Sequence, residues 1–543
     1  MLRCKNCGGN LVFDIKKQNV KCVFCGSEYA PEDYTDDRGA DEYVPKEGEY
    51  RGQAEASDDD TFETVIYTCT QCGAELVSPA DAAVGYCSFC GTEAVLQSRV
   101  AREKRPAHII PFRYDKERCK ELYLAEVAKQ PYPPAEFKDP AFIDKFRGIY
   151  IPYWEYDVGF TKKPTLKFKE TYSDSSYNYT NEYEITPQLP GFKVTVPFDA
   201  SVGFDDSLAA AIAPFDRRHM KPFSPGYLAG FFADTATASS ELYEKEAVRL
   251  GQDRALEGMA EGFKGGSVEI SPDTAKRQEI LGTCVTDQTS EMCPVWFLTW
   301  RKGQRLAYAV INGETGKLFA EIPVDIKAFM IRTLLIAAVL FVIFTLFAPL
   351  ILPYTDAAIS SVMALIVQLI YRHEMRELYD REKNLDNLGA FSNAPEAEVR
   401  KVMKQREKRG LKLAGCIIPF IAFLNFIVVS AFLNDGKTGA LICTFFVSFC
   451  GIIVWLMSLK TGFGIKEKDM LLGITLPVIA QLAAFAVVAA KPVPDWPYYI
   501  AAGGGLAATL LTALSMLFRY NELCTRGVPD FHDRKGGAKY EAG

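Results

Sequence analysis

The sequence predicts a multidomain chain with two small β zinc ribbons, an α+β cytoplasmic domain and an all-α membrane bundle of six spans. Three observations carry that expectation. Eight of the fifteen cysteines fall into two sets that share the spacing CxxC-x14-CxxC. Charge and polar turns dominate up to about residue 325, and long apolar runs dominate after it. The stretch between the cysteines and the apolar runs mixes aromatic, strand-like segments with amphipathic helical ones.

Ribbon 1 is expected over residues 1–30, with Cys4, Cys7, Cys22 and Cys25, and ribbon 2 over 64–98, with Cys69, Cys72, Cys87 and Cys90. A glycine follows each second cysteine, at Gly8, Gly26, Gly73 and Gly91. Glycine there permits positive φ and lets backbone N–H groups approach the sulfurs. Four thiolates suit one tetrahedral zinc with Zn–S about 2.3 Å, and such a closed set leaves no open position for catalysis. Two structural zinc ions are therefore expected, in preference to a rubredoxin-like iron or redox dithiols. A redox CxxC works as one exposed pair at a helix N-terminus, and these come as matched fours. The opening MLRCKNCGGN has neither the basic nor the apolar region of a signal peptide. Metal-binding thiols then fit a reducing compartment.

Charge argues against nucleic acid as a partner. Ribbon 1 has Arg3, Lys5, Lys16, Lys17 and Lys21, but residues 64–97 contain no Lys or Arg and carry Glu75, Asp81 and Glu93. The expected acidic linker, 31–63, has thirteen acidic and three basic residues. Phosphate binding needs cations, so a protein ligand is expected. Val65, Ile66, Tyr67, Phe89, Val95 and Leu96 are candidates for an apolar docking patch on a hairpin too small to bury them. The alternative is that they pack only against the following domain.

The α+β domain is expected over 99–325. Helices are read at 115–130 and about 239–264, and strands at 148–158, about 165–198 and 294–323. The last reads as a three-stranded meander turning at RKGQR and NGETGK. YIPYWEY and CPVWFLTW are expected to pair within one sheet. No P-loop, HExxH or GxSxG is present, and no enzyme activity is expected. His219, within PFDRRHMKPF, reads as a surface or hydrogen-bonded histidine. Cys119, Cys284 and Cys293 read as buried thiols. Trp154, Trp296 and Trp300 read as core.

Apolar runs at about 331–352, 356–371, 412–433, 440–459, 470–490 and 497–518 define the membrane domain, 326–520. The basic loop 372–411 is assigned to the cytoplasm, with the tail 521–543 beside it. One set of loops, together with the tail, carries nineteen Lys and Arg, and the opposite set carries only Lys437 and Lys491. The positive-inside rule then puts both termini in the cytoplasm of a multi-pass cell-membrane protein. Residues 397–412 read either as a helix near anionic lipid headgroups or as an ordinary solvated helix. Gln368, Asn425 and Gln481 are the notable polar groups in the spans, and single amides bridge helices more often than they carry ions. A transporter or channel with regulatory ribbons is the alternative, and a membrane-tethered nucleic-acid binder is a third reading.

The order of motifs adds a resemblance. Tandem CxxC ribbons followed by HIIPFRYDKE, RGIYIPYWEYD, PFSPGYLAGFFAD and CPVWFLTWRKGQRLAYAVINGETGKL resemble a bacterial family of TFIIB-type tandem zinc-ribbon membrane proteins. Members are often labelled primosomal helicase-like, and no helicase motif is present here. The resemblance covers about residues 1–325 and implies zinc at the eight cysteines. It also implies a protein partner at the membrane, of SPFH/flotillin-like or phage-shock-protein-A-like type. The function expected is that of a membrane-anchored scaffold or adaptor.

Overall fold

In the computed structural model the described residues are 2–34, 61–78, 86–93, 96–173, 177–186, 193–261, 267–269, 274–333, 335, 339, 353–383, 387–389, 399–402, 436–465, 468–529 and 531. Most of the expected acidic linker, residues 35–60, falls outside them.

Ribbon 1 is a three-stranded antiparallel sheet of β1 (Leu11–Asp14), β2 (Asn19–Cys22) and β3 (Glu28–Tyr29). The Asp14 carboxylate accepts the N–H groups of Lys16 and Lys17 at 2.9 and 3.1 Å, which closes the β1–β2 turn. Leu11, Phe13, Val20 and Cys22 face inward on alternate positions.

The rest of the chain before the apolar helices is organised by one twelve-stranded sheet, which a short strand after them joins. Its strands are β4 (Thr61–Cys69), β5 (Glu75–Ser78), β6 (Leu96–Lys104), β7 (His108–Ile109) and β8 (Arg147–Phe160). A separate three-stranded sheet holds β9 (Leu166–Ser173), β10 (Asn178–Ile185) and, later in the chain, β14 (Ser267–Glu269). The main sheet resumes with β11 (Lys193–Asp199), β12 (Lys221–Pro222), β13 (Phe232–Asp234), β15 (Thr283–Lys302), β16 (Arg305–Asn312), β17 (Leu318–Ala320) and β18 (Arg526–Gly527). The expected meander is β15–β16–β17, with Gly303 and Gly316 at positive φ in its two turns. YIPYWEY and CPVWFLTW do pair, antiparallel in β8 and β15, with Pro152 opposite Met292 and Pro294 opposite Tyr150. Burial on both faces makes β8 an almost continuous apolar run.

Helices α1 (Lys116–Lys129), α2 (Pro140–Ile143), α3 (Asp206–Ile212), α4 (Glu244–Glu261) and α5 (Thr274–Leu281) cover the sheet. Asp115 and Asp205 cap α1 and α3 by accepting backbone N–H groups in their first turns. Trp296 and Trp300 are buried and Trp154 is half-buried, with their indole N–H groups donating to Tyr114 O, Glu136 Oε2 and Ala238 O. Cys284 is exposed, which corrects its reading as a buried thiol. It shares β15 with Cys293, and nine residues of extended strand, about 30 Å, rule out a bridge between them.

Ribbon 2 is not a freestanding module. Strand β5 pairs with β13, which pairs with β8, so the ribbon forms one end of the main sheet. Val65, Ile66, Tyr67 and Phe89 are consequently buried, which removes them as a docking patch. Val95 lies outside the described residues.

The described residues contain four helices long and apolar enough to cross a membrane: α6 (Pro353–Glu382), α7 (Gly436–Ile465), α8 (Lys468–Ala490) and α9 (Trp496–Leu523). Six were expected, and the described residues do not support that number. The run 412–433 lies outside them, and so does most of 331–352. The run read as short, 356–371, is the middle of the thirty-residue α6. Ala357, Ala440, Val488 and Tyr498 cluster at one end of the bundle, whereas Leu378 and Ile474 pack with Leu523 at the other. Thus α6, α7 and α9 run the same way and α8 runs against them. Gln368 donates to Gly451 O at 3.0 Å and accepts from Gln481 Nε2 at 3.2 Å, so these amides bridge helices as expected. Asn425 lies outside the described residues.

The segment after α9 returns to the sheet. Strand β18 pairs with β16, and Arg526 is buried between Glu321 and Asp205.

Candidate metal centres

Each CxxC builds the same turn. Cys4 N donates to Gly9 O and Gly8 N to Cys4 O, both at 2.9 Å. The pattern recurs at Cys22 with Ser27 and Gly26, at Cys69 with Ala74 and Gly73, and at Cys87 with Thr92 and Gly91. The four glycines have φ between 67° and 73°, where a Cβ would clash with the backbone. The repeated turn makes each pair of cysteines point its sulfurs to one side.

The two turns of each ribbon face each other. In ribbon 1 the Sγ atoms of Cys4 and Cys25 are 3.6 Å apart and those of Cys7 and Cys22 3.5 Å. In ribbon 2 the Cys69–Cys90 and Cys72–Cys87 distances are 3.7 and 3.8 Å. A tetrahedron of thiolates about 2.3 Å from zinc has edges of about 3.8 Å. All four Sγ atoms in each set lie within 4.8 Å of one another. All eight expected residues thus assemble into two sets of four, with the dimensions and donor chemistry of a zinc–thiolate site. The two sites are compatible with two zinc ions. A bound ion would cross-link two turns and, with four thiolates, would have no position open to substrate.

The surroundings of the two sites differ. In ribbon 1, Cys4 and Cys22 are buried but Cys7 and Cys25 are exposed. The Ser27 hydroxyl lies 3.1 Å from Cys25 Sγ and pulls that thiol down to about 6. Tyr29 Oη is 3.3 Å from Cys4 Sγ. The ribbon docks on the turn within PFSPGYLAGFFAD: Phe13 N donates to Ala229 O at 2.8 Å and Ser224 Oγ to Pro31 O at 2.7 Å. Gly226 is required there, since a Cβ would lie 2.3 Å from Pro31 O. The far tip is bare, with Val23 63% and Phe24 76% exposed. Of the ribbon's cations, Lys16 pairs with Asp115 and Lys17 with Glu28.

In ribbon 2 all four cysteines are buried. The carbonyls of its second knuckle are taken up by the sheet. Thr299 Oγ1 donates to Ser88 O, Tyr308 Oη to Phe89 O, and Arg301 to Cys90 O at 3.2 Å. Arg147 donates to Tyr86 O at 2.9 Å and stacks on the Tyr86 ring. Phe531 N donates to Cys72 O at 2.7 Å, and its ring packs edge-on against Phe89. The spacing signal found the ligands, but nothing in it pointed to Phe531.

Two polar groupings escaped the sequence reading. His219 Nδ1 is 2.6 Å from Glu314 Oε1, and Asp216 is also close enough to share a cation. Arg113, however, lies against His219 Nε2, which makes this a hydrogen-bonded chain with its cation already supplied. The second is a row across four strands: Asp199, Tyr153, Glu291 and His108. Burial, reinforced by the charge of Glu155, pushes Glu291 up to about 8. Burial also pushes Glu155 up to about 7, against the pull of Arg217 at 2.7 Å.

No protein-family model matches the chain, and no solved structure matches it. It is similar to a protein of Bacillus subtilis (strain 168) described as uncharacterized protein YdjG, at 26% identity over 330 residues, covering 60% of this chain and 90% of the relative. Two four-cysteine centres and four apolar helices describe a membrane-associated protein with metal-binding sites.

Proposed function

We propose that this protein is a membrane-anchored zinc-ribbon scaffold that docks a cytoplasmic protein partner at the bacterial membrane. The observation that carries the reading is the contrast between the ribbons. Ribbon 2 is spent on structure, with every cysteine buried and its carbonyls bonded to the sheet. Ribbon 1 is fixed to the same body on one side and presents Val23 and Phe24 to solvent on the other. A rigid, metal-braced apolar tip suits protein recognition. Phosphate suits it less well, because Lys16 and Lys17 sit beside carboxylates and Lys5 donates to Asp33 O. The TFIIB-type zinc-ribbon resemblance makes an SPFH/flotillin-like or phage-shock-protein-A-like partner the first candidate.

The membrane reading is six spans with both termini cytoplasmic. Support comes from helix direction as well as from the Lys and Arg asymmetry. The chain leaves the sheet at Val324, which exchanges two hydrogen bonds with Asn521 near the end of α9. After α6 it returns to the sheet, where Leu388 N donates to Asp206. Helices α6 and α7 both start at the opposite end, where a Cβ on Gly436 would lie 2.8 Å from Tyr354 Oη. Parallel starts for α6 and α7 accord with one crossing before 353 and another between 389 and 436.

A photo-crosslinking amino acid placed at Phe24 in intact cells tests the docking function. The expected result is a crosslink to one SPFH-type or phage-shock-type protein that disappears in Cys25→Ser. Crosslinks to nucleic acid alone, or no crosslink from this position, would contradict it.

A further inference from the structure

The segment that follows α9 links the membrane bundle to the second metal centre. Arg305 donates to Thr525 O at 2.9 Å and to Thr525 Oγ1 at 3.0 Å. Strand β18 then adds to β16, with Leu306 opposite Arg526 and Arg305 opposite Gly527. Arg526 Nε reaches Glu321 Oε1 at 2.7 Å, its guanidinium also meets Asp205, and Nη2 donates to Ser207 Oγ at 2.9 Å. Five residues after Arg526, Phe531, only 6% exposed, lies on ribbon 2. Its N–H donates to Cys72 O, and its ring packs on Phe89, which lies between Cys87 and Cys90. Both contacts fall on the knuckles: Cys72 belongs to the first, and Phe89, which Tyr308 and Phe297 also hold, to the second.

We infer that metal in the Cys69–Cys72–Cys87–Cys90 site clasps the C-terminal segment, so that loading of ribbon 2 fixes how the cytoplasmic sheet is held against the membrane bundle. This rests on the metal reading above and goes beyond it. With the ion bound, the Cys72 carbonyl and the Phe89 ring are held as a preformed seat for Phe531. Without it, four buried thiols lose their common centre; the sheet still holds the second knuckle, but the first is released and the Cys72 half of the seat is lost. Strand β18 is only two residues long. The coupling is reciprocal by linkage: whatever factor the metal adds to closure of the clasp, closure adds to retention of the metal. Ribbon 1 does not touch the segment among the described contacts and serves as the internal reference.

The test uses the full chain in lipid nanodiscs and two readouts, zinc per chain and the rate of tryptic cleavage after Arg526. In the wild type that bond is protected by β18. Cys72→Ser should lower zinc from two to one per chain and raise cleavage after Arg526 by about tenfold or more. Because that variant also disturbs the ligand set, Phe531→Ala provides a second arm that leaves all eight cysteines in place. It should keep two zinc ions and cleave faster after Arg526. It should also lose one ion faster to a chelator, by a similar factor, with the ribbon 1 ion unchanged. Loss of one ion in Cys72→Ser with no change in cleavage would overturn the clasp while leaving the metal reading intact. Unchanged zinc loss in Phe531→Ala would do the same. A wild type without zinc would overturn both.

Discussion

Arg526→Met should uncouple the end of α9 from the sheet at a cost set by two stranded carboxylates. Arg526 is 9% exposed, and Glu321, its partner at 2.7 Å, is 6% exposed. Removing one partner of such a buried pair typically costs about 3–5 kcal/mol, because the remaining charge stays buried. Burial already raises the Glu321 carboxyl, and the Arg526 charge is the main influence opposing that rise. Without Arg526, Glu321 takes a folded pKa further above its unfolded value, so the folded state binds a proton that the unfolded state releases. Stability of the variant therefore falls as pH rises above about 4.5 and recovers as pH is lowered. Native-state hydrogen exchange of β16, measured in nanodiscs at pH 8 and pH 5.5, reports this directly. About 3 kcal/mol corresponds to exchange faster by about a hundredfold. A further Glu321→Gln change should restore part of the loss. Less than tenfold acceleration at pH 8, or a deficit that grows at lower pH, would refute the reasoning.

Other outcomes follow from individual sites. Glu291→Gln should stabilise the sheet domain at pH 8 by up to about 4 kcal/mol and leave it unchanged near pH 4.5, because the wild-type carboxyl is raised to about 8 and opposes folding increasingly between those values. Denaturation at a series of pH values reads this, and a gain at pH 4.5 instead would contradict it. Gly226→Ala should lift ribbon 1 from its seat, since the added methyl meets Pro31 O at 2.3 Å. Faster tryptic cleavage after Lys17, with ribbon 2 zinc retained, is the expected readout. Chelator removal of zinc should be biphasic, with the site of exposed Cys7 and Cys25 emptying before the buried ribbon 2 site. A single phase would show that burial does not govern access. A reporter fused after Gly543 should be cytoplasmic and one inserted beside Lys437 external.

The metal centres were legible because their signal is local: a CxxC and its following glycine fix one turn, and the equal spacings pair the turns. The β15–β16–β17 meander was legible for the same reason, through RKGQR and NGETGK, although the positive φ of the second turn falls at Gly316 and not at Gly313. The place of ribbon 2 in the sheet was not. Val65, Ile66 and Tyr67 read equally well as surplus apolar surface on a small hairpin or as side chains packed against the following domain. The choice depends on Phe232–Asp234, more than 150 residues away. The C-terminal clasp was hidden by a similar ambiguity. In a count of loop charges Arg526 is simply one more positive-inside residue, and only its tertiary partners, Glu321 and Asp205, give it a structural role. Cys284 was misread because burial was inferred from residue type, whereas its stretch of β15 alternates toward solvent. The length of α6 was underestimated because its last turns carry charges, and one of them, Arg381, donates to Leu523 O at the end of α9.

Two closed four-thiolate zinc centres would brace the sheet domain of the proposed scaffold. Metal quantification combined with X-ray absorption at the zinc edge, on the full chain purified in nanodiscs, tests it most directly. The prediction is two zinc ions per chain, each with four sulfur ligands at about 2.3 Å. One ion or none per chain, iron in place of zinc, or nitrogen or oxygen in the coordination sphere would contradict it.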